Sequence, residues 1–364
     1  MGSIFYLHTS ESRGRHGKAL NQLAIDVNLV WNYVNDLCFK HLQRTGKFMS
    51  AFDVAKYTAG SSKAGLNLHS QTIQAVTEEL ITRRKQFKKA KLRWRVSNPK
   101  SAKKSLGWIP FKASAIKVEQ GQIKYGKQWF GLWDSYNLSR YTIKTGSFVQ
   151  DSRGRWYACL VVDTPKPIQA TGKTSIGIDL GLKDLATCSN GVKIANPKYY
   201  KKYQQQLAIA QRANKKRQVK AIHARIKNSR QDHLHKVSSA LVKHHAAIFV
   251  GNLSAKKLVK TKMAKSVLDT GFAALKTMLR YKCENAGVWF GEVNESYTTV
   301  TCSHCNGNTG PSGLGGLGIR EWECMDCGTV HDRDINAATN ILRLGRQTLA
   351  GGIPDLKVGE DVNK

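Results

Sequence analysis

The sequence predicts a chain of several domains, in which a first half of helices and β-hairpins is followed by an α/β half. Two observations predict this division. Apolar residues recur with helical and then with β periodicity before residue 165, and short apolar strands alternate with helical segments after residue 173. At roughly 100–200 residues per domain, the 364 residues have room for two or three domains.

The charge of the chain indicates its partner. Lys and Arg total 58 against 25 Asp and Glu, which gives a formal net charge of +33, while 41% apolar residues are enough for a core. A folded protein this basic repels itself unless a polyanion neutralises it, and nucleic acid fits that role. There is neither an apolar run of about 18–20 residues that could span a bilayer nor a signal-peptide core. We therefore expect a soluble, cytoplasmic, nucleoid-associated protein without a membrane partner.

The first half opens with two expected helices. Apolar residues at three- and four-residue steps predict one helix over 14–45 and a second over 70–95. The C-terminal half of the second helix, at 83–95, is densely cationic with interleaved Phe87 and Trp94. This composition favours contact with a nucleic-acid backbone.

Residues 105–165 change to a β texture. Alternation around Gly121 and apolar runs on both sides of the turn at 151–155 predict β-hairpins of a small barrel or sandwich, and residues 164–173 resemble a linker. Most tryptophans are expected in the core, and one or two could stack on bases. The candidates are Trp94, Trp108, Trp129, Trp133 and Trp156.

The second half has the element order of an RNase H-like fold, β-β-β-α-β-α-β-(insert)-α. The expected elements are three strands within 174–195, a polar helical stretch over 199–243, a buried strand over 247–251, a helix over 266–286, a strand over 288–294 and a final helix that Asp334 opens. Residues 198–229 contain cations and no acid, which favours a phosphate-facing helix over a merely solvated one.

Four of the eight cysteines form two close pairs in the insert. Cys302 with Cys305 and Cys324 with Cys327 have C-x2-C spacing, and 18 residues separate the pairs. Four thiolates on two tight turns match a closed tetrahedral Zn²⁺ site, which would also order the glycine-rich segment between them. Two nested disulfides are the alternative, which a reducing compartment disfavours. Two nearby histidines are surplus to a four-thiolate site, His304 and His331.

Two acids of the α/β half are candidates for catalytic metal ligands. Asp179 lies in an apolar strand, where an unpaired charge is costly unless a cation accompanies it. Asp334 follows Asp332 by two residues at the start of the final helix. Carboxylates from separate elements that converge on two hard cations are what two-metal phosphodiester hydrolysis needs. For Asp332, capping of the helix is an equally good interpretation.

Three segments together resemble the TnpB family. They are GIDLGLKDLAT at 177–187, the paired C-x2-C insert and HDRDINAATNILR at 331–343. TnpB proteins are RNA-guided nucleases of bacterial insertion sequences, related to type V CRISPR effectors and to Fanzor proteins. The resemblance is clear over residues 174–346. It implies a transposon-associated, RNA-guided DNA endonuclease with a RuvC-type, Mg²⁺-dependent site and structural Zn²⁺.

The resemblance also implies a domain layout and partners. The layout is a β-barrel wedge domain (1–10 and 100–165), an inserted helical recognition domain (11–99), a RuvC-like nuclease domain (171–297 and 331–350) with a helical lid (198–243), a zinc ribbon (298–330) and a flexible tail (351–364). The partners are a guide RNA, with one copy of the chain on each, and target double-stranded DNA. The protein itself would read only a short motif beside the target.

The chain departs from the family pattern at one carboxylate. The strand that usually carries the middle RuvC glutamate has Gly251 in its place. A branch of the family that includes Fanzor-like members has a relocated glutamate, and the next strand offers Glu292 and Glu295. Glu295 lies at the end of that strand, where open α/β sheets bind ligands. We therefore predict Asp179, Glu295 and Asp334 as the catalytic residues and Mg²⁺ ligands. Glu292 is the second choice for the glutamate. The alternative is that Glu292 and Glu295 are both surface acids without a role in catalysis.

Two other functions stay open. A broken triad would leave an RNA-guided DNA-binding regulator without nuclease activity, although the retained aspartates and cysteines argue against decay. The third possibility is a zinc-ribbon DNA-binding protein that assists transposition without a guide. Binding that survives RNase treatment would identify it.

Overall fold

The structure is a computed structural model that describes residues 2–8, 15–134, 137–163, 172–253, 263–313 and 315–352. The chain divides into two compact units, Met1–Pro165 and Lys166–Lys364. Most of the predicted linker at 164–173 and of the tail at 351–364 lies outside the described residues.

The first unit contains two antiparallel sheets. Its strands are β1 (Gly2–His8), β2 (Trp108–Lys112), β3 (Ile116–Glu119), β4 (Gln122–Tyr125), β5 (Gln128–Gly131), β6 (Ile143–Gln150) and β7 (Trp156–Asp163). One sheet has the order β1-β7-β6-β2, and β3, β4 and β5 form a separate meander. Burial alternates along β7, as expected of a strand with one face on a core. The predicted hairpins are therefore present.

Helices of the first unit share a core with these sheets. They are α1 (Arg15–Thr45), α2 (Ala51–Thr58) and α3 (Ser70–Phe87). One hydrophobic cluster joins Val27 of α1 and Leu80 of α3 to Phe111 and Phe148 of the four-stranded sheet. Among the predicted stacking residues, Trp156 is fully buried in this core.

The second predicted helix ends earlier than expected, at Phe87 instead of Arg95. Lys88 adopts the left-handed conformation with φ 49°, and its amide caps the end of α3. The basic residues that follow run extended along α1, where the side chains of Asn32 and Asn35 hydrogen-bond to their backbone. The prediction of a helix over this half is wrong, because a distant helix binds the backbone groups that helix formation would use.

The second unit is built on one mixed sheet. Its strands are β8 (Thr174–Asp179), β9 (Asp184–Cys188), β10 (Lys193–Ala195), β11 (His245–Gly251) and β12 (Trp289–Val293). The sheet order is β10-β9-β8-β11-β12, with β8, β11 and β12 parallel and β9 and β10 antiparallel. Three parallel strands thus bring their carboxyl ends to one edge of the sheet, where ligands of such sheets bind.

Helices cover both faces of this sheet. They are α4 (Tyr199–Arg212), α5 (Lys216–His244), α6 (Ala264–Thr270), α7 (Phe272–Ala286) and α8 (Arg333–Gly352). Helices α5 and α7 bury Ile178 and Val250 on one face, and Ile341 of α8 packs with Phe249 on the other. The approach of α8 to β8 is close, since a Cβ at Gly177 would lie 2.2 Å from the carbonyl oxygen of Ala338. Only glycine fits there.

Two predicted helices of this unit are each divided in two. The stretch at 199–243 breaks between α4 and α5, where Asn214 has φ 50°. The helix at 266–286 breaks at Gly271, which has φ 78°. Apolar periodicity over 266–286 predicts Leu268 on the same buried face as Phe272, and this prediction is wrong, because Leu268 lies before the break and is 60% exposed.

The insert between β12 and α8 contains a small hairpin, β13 (Glu321–Glu323) and β14 (Val330–Asp332). The second cysteine pair, Cys324 and Cys327, lies in the loop between these two strands, and β14 leads directly into α8. Within the described ranges, no helix is both long and apolar enough to cross a membrane.

Candidate active site and metal centre

The ends of the three parallel strands carry the predicted site. Asp179 is the last residue of β8 and Gly251 the last residue of β11. The register pairs Val250 with Ile178, so Gly251 lies beside Asp179 and on the same face of the sheet. Glu295 follows the end of β12 by two residues. The strand ends therefore bring these three positions to one edge.

Glu295 reaches into the space that a side chain at residue 251 would occupy. A Cβ built on Gly251 would lie 2.5 Å from Glu295 Oε2. Burial raises the pKa of the Glu295 carboxyl, whereas the charge of Lys276 and a hydrogen bond from the Leu253 amide act in the opposite direction. The amide of Glu295 donates to Asn252 Oδ1 at 3.4 Å. The glycine and the loop after it thus hold this glutamate in place.

Asp334 approaches the same edge from helix α8, which covers the face of the sheet that Gly177, Asp179 and Gly251 share. It lies in the first turn of α8, and both its carboxylate oxygens accept from Arg320 at 3.1 Å. Asp332 serves the other predicted role, because its Oδ1 accepts from the amides of Asp334 and Ile335 at 3.0 Å and so caps the helix. Its second oxygen accepts from Lys193 Nζ at 2.6 Å.

The electrostatics of Asp179 report the proximity of the other two acids. Burial is the main cause that raises the pKa of Asp179 to about 7, and the negative charges of Asp334 and Glu295 add to it. A buried carboxyl that faces two more carboxylates holds its proton unless a cation compensates the charge. Three acids in this arrangement are a candidate site for divalent cations.

Glu292 points away from this group. Glu292 is two residues after Phe290 in β12, so both side chains lie on the face of the sheet that α7 covers. Its carboxylate accepts hydrogen bonds from Lys276 Nζ at 3.0 Å and from Arg280. Its charge is therefore compensated by helix α7. Of the two glutamates that the sequence offered, the structure brings Glu295 and not Glu292 to Asp179.

Lys276 was not singled out from the sequence. It is 9% exposed, and besides Glu292 it donates to the carbonyl of Leu253 at 3.2 Å. The sequence does indicate a buried lysine here, since Lys276 follows Phe272 by four residues and so lies on the apolar face of α7. Lysines buried this deeply need a partner.

Two asparagines of α8 fix the chain between Glu295 and the cysteines. The Nδ2 groups of Asn336 and Asn340 both donate to the carbonyls of Thr298 and Thr301, at distances of 2.7–3.2 Å. Both asparagines are almost fully buried. They connect the helix that carries Asp334 to the turn that follows Glu295, although no motif in the sequence indicated this role.

The four predicted cysteines form one cluster. Their sulfur atoms all lie within 4.8 Å of one another, with 3.7 Å between Cys302 and Cys327 and 3.6 Å between Cys305 and Cys324. The thiols are free, which contradicts the disulfide alternative. In the described part of the chain, no other set of three or more Cys, His, Asp or Glu side chains has all its ligand atoms this close together, and the carboxylates of the three acids are spaced more widely.

Hydrogen bonds from threonine hydroxyls favour the thiolate form at two of the four cysteines, Cys324 and Cys327, by lowering their pKa. The Thr309 hydroxyl donates to Cys324 Sγ at 3.2 Å, and this hydrogen bond is the main cause that lowers the pKa of Cys324 to about 6. His331 Nε2 lies 3.0 Å from Cys302 Sγ, next to the cluster but outside the four sulfurs. Cys302 itself is fully buried.

Comparisons with known proteins cover most of the second unit. The family model described as "Probable transposase" matches residues 158–262, and the model of the "Cas12f1-like, TNB domain" matches residues 272–341. The second match begins at α7 and includes Glu295, the cysteine cluster and Asp334.

Curated relatives extend the similarity into the first unit. A "Putative RNA-guided DNA endonuclease" of Streptomyces pristinaespiralis is 35% identical over 275 residues, 70% of this chain and 66% of the relative. A protein of the same description from Escherichia coli is 27% identical and covers 78% of this chain and 76% of its own length. A "TnpB-like protein" of Acanthamoeba polyphaga mimivirus is 31% identical over 56% of this chain and 43% of its own. The chain thus spans about two thirds of the Streptomyces relative.

Solved structures share the fold. The Cas12f1 chain in a complex with sgRNA and target DNA has a TM-score of 0.59 at 14% identity, over 90% of this chain and 82% of that one. The mini RNA-guided endonuclease CRISPR-Cas phi3 has a TM-score of 0.50 at 10% identity, over 94% and 92%. The fold is therefore that of the compact Cas12 proteins. The chain belongs to the TnpB family, as the relatives and the matched models together show.

Proposed function

We propose that the protein is an RNA-guided DNA endonuclease that cuts target DNA at the edge formed by β8, β11 and β12. The observation that carries the proposal is the convergence of Asp179, Glu295 and Asp334, in which Glu295 fills the space left by Gly251. The names of the relatives, and the guide RNA and target DNA of the Cas12f1 complex, support the same function.

The three carboxylates would hold Mg²⁺, whose preferred ligands are oxygens. When bound, the ions activate a water molecule and stabilise the leaving oxygen of the phosphodiester. The chain contributes three converging carboxylates from separate elements, which keep their places through the Leu253 amide and the cap of α8. Because the pKa of Asp179 is raised to about 7, its proton must leave before this residue can act as a ligand near neutral pH.

The cysteine cluster would hold a structural Zn²⁺. Sulfurs at about 2.3 Å from a tetrahedral zinc lie about 3.8 Å apart, close to the spacings of 3.6 and 3.7 Å in the cluster. No side chain other than the four cysteines is needed. The role of the ion is to order the insert and, through β14, the start of α8.

The division of the chain into wedge, recognition, nuclease, lid and zinc-ribbon parts belongs to the same proposal. The pairing of β1 with β7 supports the assignment of residues 1–10 and 100–165 to one wedge sheet. The net charge of +33 supports partners that are nucleic acids, a guide RNA and double-stranded DNA, with one copy of the chain for each guide at the nucleoid.

Cleavage of a matched plasmid tests the function. The protein is purified with its RNA, the RNA is sequenced, and a plasmid that carries the matching site beside a randomised short segment is incubated with both and Mg²⁺. We expect the wild type to cut and Asp179→Ala to bind without cutting. RNA-dependent binding without cutting in either Mg²⁺ or Mn²⁺ would replace the nuclease by a guided DNA-binding regulator.

A further inference from the structure

We propose that a cleft in the first unit binds an unpaired nucleotide of single-stranded nucleic acid, whose base stacks on Trp94. The cleft has a volume of about 540 Å³, which is enough for one nucleotide, and Trp94 and Arg93 line it together with Lys103 and Lys104. The inference rests on the proposed function, since a guide RNA and a displaced DNA strand both contain unpaired nucleotides.

The segment that carries Trp94 is held rigidly. On one side of it, Asn35 exchanges two hydrogen bonds of 2.8 and 3.0 Å with the backbone of Leu92. On the other side, Asn32 makes the same exchange with the backbone of Arg95, at 2.9 and 2.8 Å. Four backbone groups, two on each side of Trp94, are thus fixed before any ligand arrives, which lowers the entropic cost of binding.

Trp94 itself is exposed over 47% of its surface in spite of this rigid setting. Lys91 Nζ lies 5.2 Å from the ring centroid. A tryptophan that projects from a fixed segment offers a flat apolar surface, and a nucleic-acid base is the planar ligand that such rings bind irrespective of sequence.

The charges around the ring suit a phosphate backbone. Arg93, Lys103 and Lys104 are exposed, and within the described residues no carboxylate forms an ion pair with any of them. The acid in the lining is Glu79, which Arg83 already compensates at 2.5 Å. Cations beside an aromatic surface are the combination by which proteins hold single strands.

The aromatic surface favours an unpaired base over a duplex. In a duplex the faces of the bases are covered by their neighbours, so that only terminal base pairs can stack on a side chain. The exposed cations alone would accept either form. Stacking on Trp94 is therefore the feature that separates the two ligands.

The test uses the full-length protein, freed of its RNA and without added Mg²⁺, so that cleavage plays no part. An octamer of U or of dT with one 5-iodouracil is irradiated with the protein, and the cross-linked residue is identified by mass spectrometry. We expect a cross-link at Trp94 and, in fluorescence anisotropy, about tenfold weaker binding by Trp94→Ala, since one stacked base contributes on the order of that factor. The U and dT arms decide between RNA and DNA as the source.

Matched variants make the outcome specific. Phe52→Ala removes an aromatic ring that is 76% exposed and does not line the cleft, and it should bind as the wild type does. Trp94→Phe should retain most of the affinity, because an aromatic face remains. Equal binding by Trp94→Ala and Phe52→Ala, or cross-links only outside the cleft, would overturn the proposal and leave the nuclease proposal untouched.

Discussion

Gly251 and Glu295 share the space of one side chain, and substitutions at either position should therefore affect the site directly. In Gly251→Ala the new Cβ would lie 2.5 Å from Glu295 Oε2, so the carboxylate must move. A displacement of about 1 Å at a reacting centre can cost on the order of 100-fold in rate, and we expect a loss of plasmid cleavage of that size. Gly291→Ala is the control in the same sheet, because its new Cβ would approach the Phe249 ring, at 3.2 Å, and not a carboxylate of the site.

Moving the acid back to the strand should restore cleavage. We expect Glu295→Ala to lose cutting and the double variant Gly251→Glu with Glu295→Ala to regain part of it, because residue 251 lies beside Asp179 on the same face. Initial rates of plasmid cleavage measure both. Glu292→Ala should cut normally, since Glu292 is paired with α7; loss of cutting in that variant with an active Glu295→Ala would contradict the assignment.

The raised pKa of Asp179 makes stability depend on pH in the absence of divalent cations. The folded value of about 7 lies above the ordinary value of 3.8, so the chain loses stability as the pH rises from about 4 to 7 and the buried group ionises. Asp179→Asn should therefore raise the melting temperature at pH 8 and leave it nearly unchanged at pH 4. Thermal denaturation with and without Mg²⁺ checks this, and the wild type should gain more from Mg²⁺ at pH 8 than at pH 5.

At the scale of elements, the start of helix α8 depends on the cysteine cluster. The loop of the β13–β14 hairpin carries the second cysteine pair, and β14 runs from there to Asp332, which caps the helix that carries Asp334. We expect one zinc per chain by elemental analysis, and loss of both zinc and cleavage in Cys327→Ser. Cys159→Ser, at a thiol of the first unit that is not part of the cluster, should retain both. Zinc-free protein that cuts at the wild-type rate would contradict the coupling.

The two acids at the start of α8 should differ in their response to the same change. In Asp332→Asn the side-chain oxygen can still accept the amides of Asp334 and Ile335, so the cap and most of the cleavage activity should persist. In Asp334→Asn the charge near Asp179 is lost, and cleavage should fall below detection. Cleavage assays of the two purified variants, with circular dichroism for folding, compare them directly.

The element order of the second unit and the placement of Asp179, Glu295 and Asp334 near one sheet edge could be predicted from the sequence, and several element ends could not. The apolar pattern around Asp179 predicts strand β8 and the acid at its end. The glycine at residue 251, where the family has a glutamate, directs attention to Glu295 on the next strand. The end of α3 could not be predicted, because asparagines of α1 more than fifty residues away bind the chain that follows. The break at Gly271 had a local signal, a glycine in the helix interior, that the apolar periodicity outweighed.

For the whole molecule, the net charge of +33 should make stability depend on salt in opposite ways with and without RNA. In the RNA-free protein salt screens self-repulsion, so the melting temperature should rise with NaCl. In the RNA complex salt weakens the stabilising contacts, so the melting temperature should fall. Differential scanning fluorimetry of both forms over one NaCl series checks the prediction, and parallel curves would contradict it.

The close approach of residue 251 to the carboxylate of Glu295 also constrains the history of the site. A glutamate on the strand and one at residue 295 in its present orientation cannot be accommodated together, so each lineage must keep one and give up the other. Related sequences should accordingly fall into two groups, in which an acid at either position coincides with a small or neutral residue at the other.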